Sequence, residues 1–267
     1  MNREKYILFM DSGIGGLSIL NYFFSIKKDY NIIYYADTIN FPYGKKSESK
    51  IGEILYNIFL NLSNDYNISL INIVCNTASV SALQILRDKV NIPIVGTVPA
   101  IKPATLITKN NKIGIIATET TVRSGYLDNL IKKFAFNKEV FVRSTPGLVE
   151  LSEKGNFNNK IKNEIFFKEL NYFKNINIDV LVLGSTHFSF LKNDIEVFFN
   201  NKVKVIDSQE GVTKRIIDLL PEDINLKSKS RILIISDKNS FDRYQYINKE
   251  FQLFNKTIIE DLSCQKV

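Results

Sequence analysis

The sequence predicts an α/β protein made of mainly parallel β-sheets flanked by helices. Short runs rich in Ile, Val and Leu, each bounded by turn residues, recur along the chain and are typical of buried strands. Longer segments with helical spacing lie between these runs. Polar motifs directly follow several of the strand-like runs. Because ligands bind beyond the carboxyl ends of parallel strands, these polar motifs are the candidate site residues.

The predicted elements alternate along the chain. Strands are expected at 6–10, 31–35, 69–74, 93–95, 112–117, 140–142, 179–184, 202–206 and 231–235. Helices are expected between them, for instance at 50–62, 79–89, 124–134 and 160–175. A weak internal similarity suggests two halves that share a cleft, because a strand runs into a polar helix start both at Cys75-Asn76-Thr77 and at Ser185-Thr186-His187.

Composition and charge restrict the class of protein. The 267 residues suffice for one large or two medium domains, and 45% hydrophobic with 24% charged residues is ordinary for a globular chain. No apolar stretch approaches the ~20 residues of a membrane span, and the first one is too short for a secretory signal. We therefore expect a cytoplasmic protein with no membrane partner.

The net charge of +7 raises the question of a nucleic-acid partner. The lysines are scattered among Asn and Ile rather than gathered in a basic run, so compositional bias explains them better and nucleic-acid binding ranks last. The two cysteines, Cys75 and Cys264, make no disulfide framework, and the single histidine, His187, belongs to no metal-spaced cluster. A structural zinc site is therefore not expected.

Cys75 is the first candidate for chemistry. Free cysteine is usually inert packing, but Cys75 ends an apolar strand and opens a helix start. Backbone N–H groups and the helix dipole at such a position favour thiolate, so a lowered thiol pKa is expected. His187 also follows a strand and can serve as acid or base near neutral pH.

Other strand ends carry polar groups with more than one interpretation. The glycines after Asp11-Ser12 match neither a dinucleotide-binding nor a P-loop motif, so a turn that brings Asp11 to the sheet edge is favoured. Phe41-Pro42-Tyr43-Gly44 has turn composition, and Thr118 and Thr121 could equally be helix caps.

Taken together, the motifs resemble the glutamate racemase branch of the aspartate/glutamate racemase family. They span most of the chain in the family's order and spacing. The matching segments are Asp11-Ser12-Gly13-Ile14-Gly15-Gly16-Leu17, Tyr35-Ala36-Asp37 with Phe41-Pro42-Tyr43-Gly44, Cys75-Asn76-Thr77-Ala78-Ser79, 96–103, Ala117-Thr118 with Thr121 and Ser124, 146–153, Gly184-Ser185-Thr186-His187, and Ile206-Asp207-Ser208.

The resemblance implies cofactor-independent interconversion of L- and D-glutamate, with D-glutamate supplied for peptidoglycan and hence for cell wall biogenesis and cell shape. Two bases on opposite faces of the substrate exchange its Cα proton, assisted by Asp11 on one side and His187 on the other. Glu153 matches a family carboxylate near the second base, with Glu150 as its nearby competitor. The resemblance also implies a homodimer. It assigns substrate binding to Ser12, Tyr43, Gly44, Asn76, Thr77, Thr118, Thr121 and Thr186.

One position departs from the family pattern, because Ser185 stands where the family has its second catalytic cysteine. A serine hydroxyl is far less acidic than a thiol, so its alkoxide is scarce without a strong adjacent base. We therefore expect impaired L-to-D conversion, with D-glutamate still able to exchange its Cα proton at Cys75.

Pattern and resemblance together predict two similar α/β domains, 1–96 plus 207–267 and 97–206, with the active site in the cleft between them. Three other functions stay open. The chain could be a non-catalytic or single-base glutamate-binding protein derived from the racemase fold, a racemase or lyase of another small acidic amino acid, or, last, a nucleic-acid binder.

Overall fold

A computed structural model describes residues 4–154, 159–220 and 230–259. Cys264 lies outside these ranges. The chain forms two compact units, the first comprising 1–97 and 209–267 and the second 98–208. Each unit is built around one parallel sheet.

The first unit holds a six-stranded sheet in the order β10-β9-β2-β1-β3-β4, with every neighbouring pair parallel. Its central strands are almost wholly buried, as sheets covered on both faces require. The strands are β1 (Lys5–Asp11), β2 (Ile32–Ala36), β3 (Asn67–Ile73), β4 (Ile94–Gly96), β9 (Arg231–Ile235) and β10 (Lys256–Ile259).

The second unit holds a four-stranded parallel sheet in the order β6-β5-β7-β8. Its strands are β5 (Lys112–Ala117), β6 (Glu139–Ser144), β7 (Val180–Gly184) and β8 (Lys204–Ile206). The helices of the chain are α1 (Leu17–Ile26), α2 (Glu48–Asp65), α3 (Asn76–Arg87), α4 (Ile101–Ile107), α5 (Glu119–Arg123), α6 (Gly125–Phe134), α7 (Pro146–Lys154), α8 (Asn159–Asn175), α9 (Lys192–Phe198), α10 (Gln209–Asp218) and α11 (Phe241–Phe251).

Alternation along the strands divides each core into two layers. On β1, Ile7 and Phe9 pack into one apolar cluster, whereas Leu8 and Met10 pack into another. This is the period-2 pattern of a strand, and it explains why both faces need a cover of helices. The second sheet is divided in the same way into two apolar clusters.

The two sheets repeat one topology. Four successive strands take the order β2-β1-β3-β4 in the first unit and β6-β5-β7-β8 in the second. The chain therefore reverses its winding direction between β1 and β3 and again between β5 and β7. In open α/β sheets such switch points, at the carboxyl ends of the strands, are where ligands bind.

The predicted fold class is confirmed. The predicted strands at 112–117 and 231–235 coincide with β5 and β9, and the others differ mainly at their ends. Strand β10 was missed, because it is a short edge strand with little apolar periodicity and only partial burial. No helix in the described ranges combines the length and apolarity that a bilayer crossing needs.

Candidate active site

Cys75 lies at the switch point of the first sheet. Strand β3 ends at Ile73, β1 ends beside it at Asp11, and Cys75 is the N-cap residue of α3 in extended conformation. The backbone N–H of Val74 donates to the carbonyl of Met10 at 2.9 Å, which joins the two strand ends just before the thiol. The thiol therefore stands between two strand ends, with a helix starting behind it.

The surroundings of the thiol raise its pKa rather than lower it. Cys75 is only 5% exposed, and burial together with the negative charge of Asp11 raises the thiol pKa to about 12. The backbone N–H groups of Ala78 and Ser12 act in the opposite direction, as does the Ser12 hydroxyl, whose oxygen lies 3.9 Å from the sulfur. The prediction that the helix start lowers the thiol pKa was wrong, because burial and the negative charge of Asp11 outweigh the effect of the helix start.

The turn after β1 fixes Asp11 at this edge. Its Oδ1 accepts a hydrogen bond from the backbone N–H of Gly13 at 2.7 Å, and the carbonyl of Gly13 accepts one from the Tyr34 hydroxyl at 2.9 Å. A Cβ on Gly16 would lie 2.4 Å from Val74 and 2.9 Å from the Asp11 carboxylate. A glycine is needed at position 16 because α1 begins directly against Asp11 and against Val74, the residue before Cys75.

The other predicted residues of the first unit lie on α3 and on the turn after β2. Asn76 and Thr77, both buried, form the first turn of α3 beside Cys75. Within the described part of the chain, the buried Asn76 Nδ2 has no hydrogen-bond partner. Tyr43 is buried, Gly44 is exposed, and the Tyr43 hydroxyl donates to Asp37 at 2.7 Å.

Ser185 takes the matching place in the second unit. It follows β7 in extended conformation and is 4% exposed, with the buried Thr186 next to it. A Cβ on Gly184 would lie 2.8 Å from the carbonyl oxygen of Ile116, so the absence of a side chain there lets the ends of β7 and β5 approach closely. Ser185 therefore stands at the switch point of the second sheet.

His187, which is buried, and Glu153, which is partly buried, form a pair beside this strand end. The His187 Nε2 lies 2.5 Å from the Glu153 Oε1, and their side chains are 7% and 18% exposed. Glu153 comes from α7, which packs against the 3-10 turn Thr186–Leu191 that carries His187. Glu150, the competing carboxylate on α7, is exposed. A carboxylate in this position orients an imidazole and stabilises its protonated form.

Thr118 and Thr121 follow β5 at the same switch point. The Thr118 hydroxyl caps α5 by accepting from the backbone N–H of Thr121 at 3.4 Å, and the two hydroxyl oxygens lie 3.0 Å apart. Thr118 is therefore a helix cap, as one of the two interpretations of the sequence predicted.

The structure thus gathers the predicted residues at two strand edges, one in each unit. The first edge has five of the predicted residues, namely Asp11, Ser12, Cys75, Asn76 and Thr77. Tyr43 packs into the same apolar cluster as Cys75. The second edge has six of the predicted residues, namely Thr118, Thr121, Ser185, Thr186, His187 and Glu153. Among the described residues, no group of three or more His, Cys, Asp and Glu side chains is arranged to hold a metal ion.

Sequence reasoning assigned no role to Asp37, although it directly follows β2. Its carboxylate collects hydrogen bonds from Tyr43, Asn40 and Ser236. Its place immediately after a buried strand was the available signal. The partner Ser236 is so distant in sequence that only the fold brings it to the same strand end.

The fold that carries these two edges is that of a racemase class. A family model described as Asp/Glu/Hydantoin racemase matches residues 29–215. A glutamate racemase of Aliivibrio fischeri (strain MJ11) is 41% identical over 222 residues, which is 82% of either chain. The chain therefore belongs to the Asp/Glu racemase family.

Solved structures agree with this membership. Escherichia coli glutamate racemase, in complex with L-glutamate and the activator UDP-MurNAc-ala, is similar with a TM-score of 0.85 at 28% identity, covering 97% of this chain and 98% of the other. Francisella tularensis glutamate racemase, in complex with D-glutamate, is similar with a TM-score of 0.81 at 28% identity, covering 98% and 99%.

Proposed function

We propose that this chain interconverts L- and D-glutamate by cofactor-independent proton transfer at Cα, with the L-to-D direction impaired by Ser185. The observation that carries the proposal is Cys75 at the switch point of the first sheet, beside Asp11 and Ser12, in a chain of the Asp/Glu racemase family. Relatives named glutamate racemase support glutamate as the substrate.

The environment of the thiol suits abstraction of a weakly acidic proton. A base must be strong to remove the Cα proton of an amino acid, and a thiol pKa of about 12 makes the thiolate of Cys75 a stronger base than an ordinary one. The Asp11 carboxylate acts electrostatically on the thiol and strengthens its hold on the proton. The same burial excludes water from a developing carbanion.

Substrate binding is assigned to the polar groups around the two edges. The buried Asn76 Nδ2, unpartnered in the described part of the chain, is a donor that a substrate carboxylate would satisfy. The proposed binding residues are Ser12, Tyr43, Gly44, Asn76, Thr77, Thr118, Thr121 and Thr186. We further propose that the enzyme supplies D-glutamate for peptidoglycan, acts in the cytoplasm and forms a homodimer; light scattering after size exclusion tests the last point.

The second edge lacks a thiol, and this sets the expected asymmetry. The groups that follow Ser185 differ from those around Cys75, because its turn carries His187, which is bound to Glu153 of α7. A serine hydroxyl is a weaker acid than even the Cys75 thiol, so its alkoxide is scarcer and Ser185 is a poor acceptor for the Cα proton of L-glutamate.

Proton exchange in heavy water tests the proposal. Each enantiomer of glutamate is incubated with the protein, loss of the Cα proton is followed by NMR, and inversion is followed by circular dichroism. D-glutamate should incorporate deuterium, whereas L-glutamate should convert far more slowly. The absence of exchange with either enantiomer, in this chain and in Ser185→Cys, would overturn the racemase assignment.

A second candidate function is favoured by Ser185 alone. A non-catalytic glutamate-binding protein derived from the racemase fold would bind glutamate in calorimetry and leave its Cα proton untouched. A racemase of another small acidic amino acid would instead act on aspartate or a close analogue in the same dichroism assay.

A further inference from the structure

The aspartate after β2 is the meeting point of three hydrogen-bond donors. Asp37 is 1% exposed, and its Oδ2 accepts from the Tyr43 hydroxyl at 2.7 Å. Its Oδ1 accepts from the Asn40 side-chain amide at 3.0 Å and from the Ser236 hydroxyl at 3.3 Å. An ionised carboxylate, which only accepts, is the one side chain of this size that satisfies all three donors.

The same cluster joins the turn after β2 to the neighbouring strand. The backbone N–H of Ile39 donates to the Ser236 hydroxyl at 3.1 Å, and the backbone N–H of Ser236 donates to the carbonyl of Ala36 at 3.1 Å. Ser236 directly follows β9, the neighbour of β2. The segment 38–44 is therefore held to the sheet edge through Asp37 and Ser236.

The ionisation of Asp37 does not explain this arrangement as a stabilising charge. Burial raises the pKa of Asp37, and the bonds from Tyr43, Asn40 and Ser236 and the charge of Lys46 offset that effect only in part. A carboxylate whose ionisation is disfavoured in the folded state adds no stability at neutral pH. A buried charge that does not stabilise the fold is a candidate for a functional role.

Tyr43 connects this cluster to the thiol. Its ring is buried in the apolar cluster that includes Cys75. The pKa of its hydroxyl is well above the usual range, chiefly through burial and then through the charges of Asp37, Cys75 and Asp11. The hydroxyl that Asp37 holds therefore lies within electrostatic reach of both groups of the first edge.

We propose that Asp37 is a positioning residue for glutamate binding, holding the Tyr43 hydroxyl and thereby the segment 41–44 in place beside Cys75. Asp37 does not touch the substrate. It fixes Tyr43 and Gly44, two of the proposed binding residues, and the inference rests on the proposed function. Asparagine cannot replace it, because an amide has only one acceptor oxygen and its nitrogen would face the Tyr43 hydroxyl or the Asn40 amide.

Kinetics of Asp37→Asn test this inference. The KM for D-glutamate in the heavy-water exchange assay should rise ~10-fold while kcat changes by less than about threefold, because binding is weakened before chemistry. The thermal midpoint should also fall, because the lost bonds join the turn after β2 to Ser236, so the rise in KM is the deciding readout. Tyr43→Phe keeps the ring and removes the hydroxyl, so it should raise KM equally, and the double variant should be no worse than either single one. If Asp37→Asn does not fold, Tyr43→Phe decides.

Asp179→Asn is the matched control. Asp179 also collects donors from a turn, the Thr108 hydroxyl at 2.6 Å and the Asn110 N–H at 3.1 Å, but it precedes β7 and lies at the amino end of its sheet. These bonds hold its pKa below the usual range, so its loss should lower the thermal midpoint and leave KM unchanged.

The outcomes separate the two proposals. If the unaltered protein exchanges D-glutamate and both Asp37→Asn and Tyr43→Phe keep its KM, the positioning role is refuted and the proposed function stands. If the unaltered protein neither exchanges nor binds D-glutamate in calorimetry, the proposed function fails and this inference fails with it. A lowered kcat at constant KM would indicate a role in the chemical step rather than in binding and would also overturn the inference.

Discussion

The two sheets place different side chains at the same topological position. Cys75 follows β3 and Ser185 follows β7, and each of these strands lies across the switch point in its own sheet. At the first edge a thiol lies beside the Asp11 carboxylate, whereas at the second a hydroxyl is followed by an imidazole bound to Glu153. Topology fixes where a base can stand, and the side chain decides whether it can accept a proton.

Removing the thiol of Cys75 should have the largest effect. Cys75→Ala deletes the only group in the proposed mechanism that can take the Cα proton of D-glutamate, so deuterium exchange should fall by about 10⁴-fold. The measurement is NMR of D-glutamate in heavy water. Cys264→Ala is the control and should leave the exchange rate unchanged; comparable loss in both variants would refute Cys75 as the base.

Restoring a thiol at the second edge should have the next largest effect. Ser185→Cys should increase L-to-D conversion by roughly 10³-fold, because it supplies an acid–base group where a hydroxyl now stands. Circular dichroism with L-glutamate measures the gain. Ser189→Cys adds a thiol to the same 3-10 turn away from the strand end and should give no gain. Equal L-to-D rates in the original chain and Ser185→Cys would mean that position 185 is not the second base.

Separating His187 from its carboxylate should have a moderate effect. In the Ser185→Cys background, Glu153→Gln should slow L-to-D conversion by about 10-fold to 100-fold and shift its pH profile, since the imidazole loses the charge that stabilises its protonated form. The pH dependence of the dichroism rate is measured. Glu150→Gln changes an exposed carboxylate on the same helix and should leave the profile in place; an identical shift in both would remove the special role of Glu153.

Sequence reasoning located both edges but not their electrostatics. The strands and the polar residues after them follow from local periodicity and turn composition, which is why Cys75 and Ser185 were found at strand ends. The thiol pKa depends on how deeply the strands bury Cys75 and on how close the fold brings Asp11, and neither is a local property. Asp37 was overlooked for the same reason, because one of its partners, Ser236, lies on a distant strand end.

The smallest expected effect is on the free energy of unfolding at alkaline pH. Its measurement tests the difference between the two edges directly. Burial and Asp11 raise the thiol pKa of Cys75 to about 12 in the folded state, against about 8.5 in an unfolded chain. The folded protein thus holds the thiol proton more tightly than the unfolded chain does. The free energy of unfolding is therefore unaffected by Cys75 below the thiol pKa of the unfolded chain, and it falls as the pH rises above that pKa.

Relative to Cys75→Ser, the free energy of unfolding of the original chain should therefore fall by up to about 1.4 kcal/mol per pH unit above pH 9. Urea unfolding of both proteins between pH 7 and 10.5 measures the difference, and the shared titration of lysines and tyrosines cancels. Parallel curves would mean that Cys75 is an ordinary thiol. The first edge would then hold no unusually strong base, and the contrast with Ser185 would reduce to the difference between sulfur and oxygen.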